Sequence, residues 1–365
     1  MTDARHAPFL AALVTALLAG CATAGAPGAR PAPPVLELPA EPVEVRSGDL
    51  DLVGRNDEEL FALGLSASQA GDARRAAAAF EQLADRFPGS RHHAAALFDA
   101  GLARERLQEW RPALASFERF RREYAGPDAD QAAFHQALCH ERLGERAEAH
   151  ALLDALAGKA GLSPLDRMRA LTERGVVELE SGDGERAERS LLLALSTWHG
   201  AAEAERFDDE APAKAHFWLG ELYRSWFAAL PLDFSADEAA QAEALERESQ
   251  LLLQAQGHYL RAARRGSPAY GVAGVTRVGE MYESLYTRLA GAPLPPGLDQ
   301  EEAAAWRHEL WKKLEVLVQK AVQAYQGALT AARARGVDNR FSEDAERSLE
   351  RLKRLLVSAD AGGPP

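Results

Sequence analysis

The sequence predicts an all-α protein: a solenoid of antiparallel helix pairs with elongated helices towards its C-terminus. Three observations carry this expectation. A unit of 36 to 38 residues repeats four times between Leu60 and Leu195. Alanine and leucine dominate the chain, and strand-like alternation is absent throughout. A fixed period of this length marks supersecondary units that bury their apolar faces only by stacking on one another.

The repeats align on a small residue in the first helix of each unit: Gly64, Gly101, Ala137 and Gly175. Twelve residues on stand Ala76, Ala113, Ala149 and Ala187, and four beyond those Phe80, Phe117, Leu153 and Leu191. Leu83, Phe120 and Leu156 follow after three more, whereas the fourth copy has Ala194 there and Leu195 one residue late. Gly71, Gln108, Gly144 and Gly182 share the register of the turn between the helices. Small residues at two fixed places allow the paired helices to approach closely, and the large apolar ones fill the space to the next pair. The pattern resembles the tetratricopeptide repeat, which Gly64, Ala76, Phe80 and Pro88 match. Later copies drift, with their prolines late at Pro127 and Pro164. The resemblance implies the fold and carries no chemistry, because function on such a scaffold lies in its surface residues.

Taken in order, the chain opens with a segment outside that fold. Arg5 and His6 precede an apolar run from Phe9 to Leu18, too short to span a membrane and ending in small residues, as a signal peptide does over 1–20. Leu18-Ala19-Gly20-Cys21 resembles a bacterial lipobox. That resemblance implies cleavage before Cys21, a diacylglycerol on its sulfur and a fatty acyl group such as palmitate on its nitrogen, enough chains for durable anchoring. An ordinary secretory signal is the other reading of the same pattern. Ala22 in place of Asp implies the outer membrane and its periplasmic face under the usual lipoprotein sorting rule. Residues 21–50 read as the lipidated cysteine and a Pro- and Ala-rich tether. At ~3.1 Å per residue in polyproline II conformation, it reaches roughly 80 Å.

Residues 51–200 hold the four repeats. Ser163 and Pro164 supply an N-cap and a first-turn proline for the fourth, with Asp166 favourable to the positive helix end. Residues 201–357 read as extended repeats. Leu219, Gly220 and Tyr223 begin a fifth unit whose second helix is delayed; Ser235 with Glu238 reads as its capping box, and the helix runs to about Arg264. Gly279 and Tyr282 begin a sixth unit. A Pro- and Gly-rich loop follows over 291–297, and then a helix capped by Asp299 and Glu302 that runs to about Arg335. An amphipathic helix from Ser342 to about Val357 closes the solenoid, and 358–365 reads as a frayed tail.

Net charge is −13, from 55 acidic and 42 basic residues. Nucleic-acid binders show a basic balance or a concentrated basic face, so nucleic acid is not an expected partner. With Cys21 lipidated, Cys139 is the second and last cysteine, which leaves no intramolecular disulfide. Phosphate-cradling glycine motifs, HExxH and CxxC are all absent from the sequence. His135 and Cys139 lie one helical turn apart beside His140 and Glu141, but two ligands fall short of a zinc site. The reading is therefore non-enzymatic, with no catalytic residues, no metal and no cofactor.

One surface feature points to binding. Phe61, Phe98, Phe134 and Phe217 recur at one register of the first helices, broken by Thr172. In tetratricopeptide domains this register often faces the concave groove that grips a peptide, and an aromatic ladder there would anchor a partner segment. The same register also serves packing between units. Together the lipobox, the tether and the repeats resemble envelope lipoproteins of the outer-membrane-assembly, Tol-Pal-coordinator and pilotin types. The resemblance implies a membrane-anchored adaptor that binds a segment of another envelope protein through its concave surface, in outer-membrane protein assembly, a secretin or pilus, or a motility complex. A peptidoglycan-associated regulator of cell-wall or division machinery is the alternative.

Overall fold

A computed structural model describes residues 52–203, 210–235 and 237–360. The signal peptide, Cys21, the tether and the end of the tail lie outside the described residues. Among the described residues there are thirteen helices and no strand. Four hairpins come first: α1 (Asp57–Gln69) with α2 (Ala73–Arg86), α3 (His93–Arg106) with α4 (Trp110–Glu123), α5 (Pro127–Arg142) with α6 (Arg146–Gly158), and α7 (Pro164–Glu180) with α8 (Gly184–Gly200). Two longer pairs follow, α9 (Glu210–Ala229) with α10 (Glu238–Arg264) and α11 (Pro268–Ala290) with α12 (Gln300–Arg335), and α13 (Arg340–Asp360) ends the stack.

Each of the first four hairpins turns in the same way. The turn residue is left-handed, with φ of +78° at Gly71, +60° at Gln108, +77° at Gly144 and +83° at Gly182. The amide of the next residue then reaches back five residues to a helix carbonyl: Asp72 to Ala67, Glu109 to Arg104, Glu145 to His140 and Asp183 to Glu178, each at 2.9 Å. These are the long bonds of a Schellman-type helix end, which satisfy carbonyls the helix would otherwise leave open. Asp72 and Asp183 go on to cap the second helix, accepting from the amides of Arg75 and Arg186.

The small residue and the large one sixteen places later form one contact. A Cβ added to Gly64 would lie 2.4 Å from the Phe80 ring, one on Gly101 2.5 Å from Phe117, and one on Gly175 2.7 Å from Leu191. The fifth and sixth pairs keep this contact although the chain between its members lengthens to 39 and 46 residues. Gly220 receives the ring of Tyr259, and Gly279 that of Tyr325, with a Cβ meeting them at 2.5 and 2.6 Å. Ala255 and Ala262 around Tyr259, and Ala321 and Ala328 around Tyr325, are fully buried. They stand where the alanine and the later apolar residue stand in the short repeats. The solenoid thus continues through six pairs, and the extra length of α10 (27 residues) and α12 (36 residues) precedes the packing segment of each.

Capping matches the expectation at Ser163, which accepts from the Asp166 amide at 3.1 Å, and at Asp299 and Glu302, which form a reciprocal box. It differs at Ser235. The N-cap of α10 is Asp237, accepting from Ala240 at 2.9 Å, while the Ser235 hydroxyl donates to Asp233 at 2.6 Å. Ser235 sits two residues too early, and Asp237 brings a carboxylate to the positive helix end. The last helix also exceeds its expected span and ends at Asp360. Apolar burial divides within α5, where Ala132 and Cys139 join the core of the first two pairs and Ala133 and Ala137 that of the later ones. No helix among the described residues is long and apolar enough to cross a membrane.

Candidate functional site: a trough along the first helices

The first helices of successive pairs line one continuous trough of about 730 Å³. Its wall runs from Glu105 and Arg106 of α3 through Glu141 and Arg142 of α5, Glu173 of α7, Lys214 and Trp218 of α9, and Tyr270 and Arg277 of α11, to Arg340 and Phe341 at the start of α13. A smaller hollow of about 330 Å³ adjoins it, sharing Glu173, Lys214 and Tyr270 and extending to Phe134 and Asp166. A helical repeat explains the arrangement. Residues facing the partner helix are consumed by packing, so the opposite stripe of each first helix is left to line a common surface.

Most charges in the trough are matched. Glu173, itself buried, pairs with Lys214, whose ammonium stays above its ordinary range because that carboxylate outweighs the opposing effect of burial. Burial pushes the Glu221 carboxyl up. Arg224 at 2.6 Å, Arg277 at 3.1 Å and the Tyr259 hydroxyl at 2.6 Å outweigh it and hold the group below the usual range. Burial pushes Glu141 upward, against the nearby charge of Arg142.

Three of the four phenylalanines of the expected ladder, Phe61, Phe98 and Phe217, pack on rings of the following pair. Phe61 stacks on the His92 ring at 4.1 Å, and Phe98 meets Phe117, Phe120 and His135 edge-on at 5.5 to 5.7 Å. Phe134 reaches the smaller hollow, with His135 at 6.0 Å. Phe217 is 7% exposed, packs on Tyr259 at 5.7 Å and Tyr270 at 5.4 Å, and lines the trough. Phe134 and Phe217 therefore border the hollows, and Phe61 and Phe98 line neither.

His135 and Cys139 are brought together, with Glu105 between them. The carboxylate of Glu105 lies 3.0 Å from His135 Nδ1 and 3.5 Å from Cys139 Sγ. Burial and this carboxylate push the thiol up, the opposite of an activated cysteine. No group of three or more metal-ligating side chains occurs among the described residues.

Lys214, Trp218, Tyr270, Arg340 and Phe341 were not anticipated from the sequence. They lie in the extended pairs and α13, where the residues at these places do not repeat those of the earlier units. Glu105-Arg106 and Glu141-Arg142 did carry a signal: one dipeptide at equivalent places 36 residues apart, both facing the trough.

Comparison with known proteins bears on the fold. The tetratricopeptide repeat profile matches residues 60–90 and 95–126, the first two pairs. No curated protein matches the sequence. A tetratricopeptide repeat protein from Parabacteroides merdae is 14% identical, with 81% of this chain and 98% of that chain covered and a TM-score of 0.40. A TPR repeats protein from Bacteroides fragilis is 15% identical, with 64% and 98% covered and a TM-score of 0.29. The human IFIT1 dimer with m7Gppp-AAAA is 15% identical, with 84% and 64% covered and a TM-score of 0.40. With its matched repeats and the same glycine–ring contact carried into the fifth and sixth pairs, the chain is an all-α, tetratricopeptide-like solenoid.

Proposed function

We propose that this chain is a non-enzymatic adaptor of the bacterial envelope, lipidated at Cys21, that holds a segment of another envelope protein in its trough. Tetratricopeptide repeats generally serve protein–protein interaction, and the observation that carries the reading is the trough itself. It is an open surface lined by half-buried aromatics (Trp110, Trp218, Tyr270) between charged residues. Aromatic anchors ringed by polar groups are what a peptide-binding surface requires. The lipobox-like Leu18-Ala19-Gly20-Cys21 and the proline-rich stretch behind it support anchoring at a distance from a membrane. The partner class follows from that place: a component of outer-membrane protein assembly, of a secretin or pilus, or of a motility complex.

Two measurements test the reading. Labelled palmitate fed to cells is expected to mark the wild-type protein and not Cys21→Ser; an unlabelled wild-type protein overturns the lipid anchor. A photo-reactive amino acid at Trp218 in the full chain is expected to yield one discrete adduct with an envelope protein in cells. Adducts with peptidoglycan alone, or none, overturn the adaptor.

A further inference from the structure

The charges of the trough are unevenly paired. Three of its four carboxylates have partners: Glu105 faces His135, Glu173 holds Lys214, and Glu221 takes Arg224 and Arg277, while burial pushes the fourth, Glu141, towards its neutral form. Three of its guanidinium groups are different. Arg106 and Arg142 are exposed and form no ion pair among the described residues; Arg106 acts on Asp99, and Arg142 on Glu141, only at longer range. Arg340 is also exposed and lies over the Phe341 ring at 4.7 Å, with no carboxylate partner among the described residues. On a chain of net charge −13, three unmatched cations against the single carboxylate of Glu141 along one trough are a local reversal of the overall balance.

Their placement describes the ligand. Arg106 and Arg142 occupy equivalent places in neighbouring pairs, and Arg340 stands at the far end, where α13 begins. Charges spread over several elements match an extended chain with several anionic groups. Between them Trp110, Trp218 and Tyr270 offer half-buried aromatic faces. Complementary charge sets orientation and encounter rate, and buried aromatic contacts hold the complex. An oligonucleotide would also satisfy the three cations, but with a charge on every nucleotide it is repelled by the rest of this acidic protein more strongly than a segment whose carboxylates are interspersed with apolar residues.

We propose that the trough takes an extended protein segment carrying several carboxylates among apolar residues, its acidic groups meeting Arg106, Arg142 and Arg340 and its apolar side chains lying on Trp110, Trp218 and Tyr270. This rests on the adaptor reading and names the chemistry of its partner.

The test uses the full-length protein and three labelled peptides of equal length, each alternating apolar residues with glutamate, lysine or glutamine, read by fluorescence anisotropy. The glutamate peptide is expected to bind, more weakly as salt rises, and the lysine and glutamine peptides not to bind. Arg106→Glu with Arg142→Glu should weaken it by at least about tenfold, the scale set by losing charge-assisted contacts. The circular dichroism melt should stay unchanged. Arg122→Glu, an exposed arginine of α4 outside the trough, should leave binding intact. Equal or tighter binding of the lysine or glutamine peptide overturns the inference and leaves the adaptor to its cross-linking test. Wild-type affinity in the double variant, or displacement of the peptide by oligothymidylate, also overturns it.

Discussion

Glycine at the helix–helix contact is the residue on which the repeat depends, and its effect is separable from helix propensity. Gly220 and Gly327 are both helical, so alanine at either gains about 0.5–1 kcal/mol from the backbone term. The surroundings decide the sign. A Cβ at 327 meets only Val275, at 3.7 Å, which is ordinary contact. A Cβ at 220 meets the Tyr259 ring at 2.5 Å, and that ring is fully buried with its hydroxyl fixed on Glu221. Overpacking of this kind costs about 1–3 kcal/mol, more than the propensity gain. Gly327→Ala is therefore expected to raise the urea midpoint and Gly220→Ala to lower it; two changes of the same sign would show that the ring yields. The sequence disclosed the glycine side of this contact in both extended pairs, at Gly220 and Gly279. Tyr325 was legible with Ala321 and Ala328 on the apolar face of the long helix, but not that Tyr259 and Tyr325 are the rings that meet these glycines, because inserted helix separates the partners by 39 and 46 residues and period counting searches a fixed distance.

At the scale of the element, the pair α9 and α10 carries a titration that the helices alone would not. His216 and His258 face each other with their Nδ1 atoms 3.1 Å apart, so one ring donates and the other accepts, and both are neutral. Burial lowers His216 to about 3, aided by His258, Arg261, Arg265 and His199; burial and then Arg261 lower His258 to about 4. Tyr223 packs on His258 at 5.5 Å and donates its hydroxyl to Glu188 of α8. The unfolded chain binds protons at these histidines from about pH 6.5 downward, and the folded chain does not until near pH 4. Their stabilisation is therefore whole above pH 6.5 and falls with acid, at roughly 1.4 kcal/mol per pH unit for each histidine. Denaturant unfolding between pH 7.5 and 5 is expected to show this loss, and His258→Gln to reduce it by about half. An unchanged slope in the variant would place the acid sensitivity elsewhere. The sequence showed His216 beside the fifth-unit signature, but not its partner 42 residues on, because the delay of α10 was visible there without its alignment. The binding surface was legible to the same extent. Glu105-Arg106 and Glu141-Arg142 mark the stripe by repeating the same residues; Trp218 and Arg277 share a register, each two residues before its glycine, but differ in residue type from the earlier units, so the pattern does not single them out.

Across the whole molecule, every substantial contact joins helices one or two places apart in chain order, so stability is held between neighbours and not by a shared centre. The apolar residues show the consequence, forming two clusters that adjoin within α5. α13 covers the last pair. Leu352 and Ala345 are buried, Thr276 of α11 donates to the Phe341 carbonyl at 3.3 Å, and Arg351 reaches Glu283 of α11 at 2.5 Å. Removing that cover exposes the apolar faces of α11 and α12 and leaves α1 to α4 untouched, since among the described residues neither α13 nor its neighbours make a substantial contact with them. Leu352→Asp places an unpaired carboxylate in a buried apolar site, at a cost of about 3 kcal/mol or more. Hydrogen exchange of this variant is expected to show lost protection in α11, α12 and α13, with α1 to α4 exchanging as in the wild type. Equilibrium unfolding should broaden into two steps, the C-terminal end opening first. A single transition with protection lost evenly along the chain would mean that the pairs act as one cooperative body, and the trough would then open only with the whole fold. If the loss stays local, α13 controls the far end of the trough through Arg340 and Phe341, and a partner lying along the trough from Arg106 to Arg340 stabilises the pairs from α3 onward while leaving α1 and α2 unchanged.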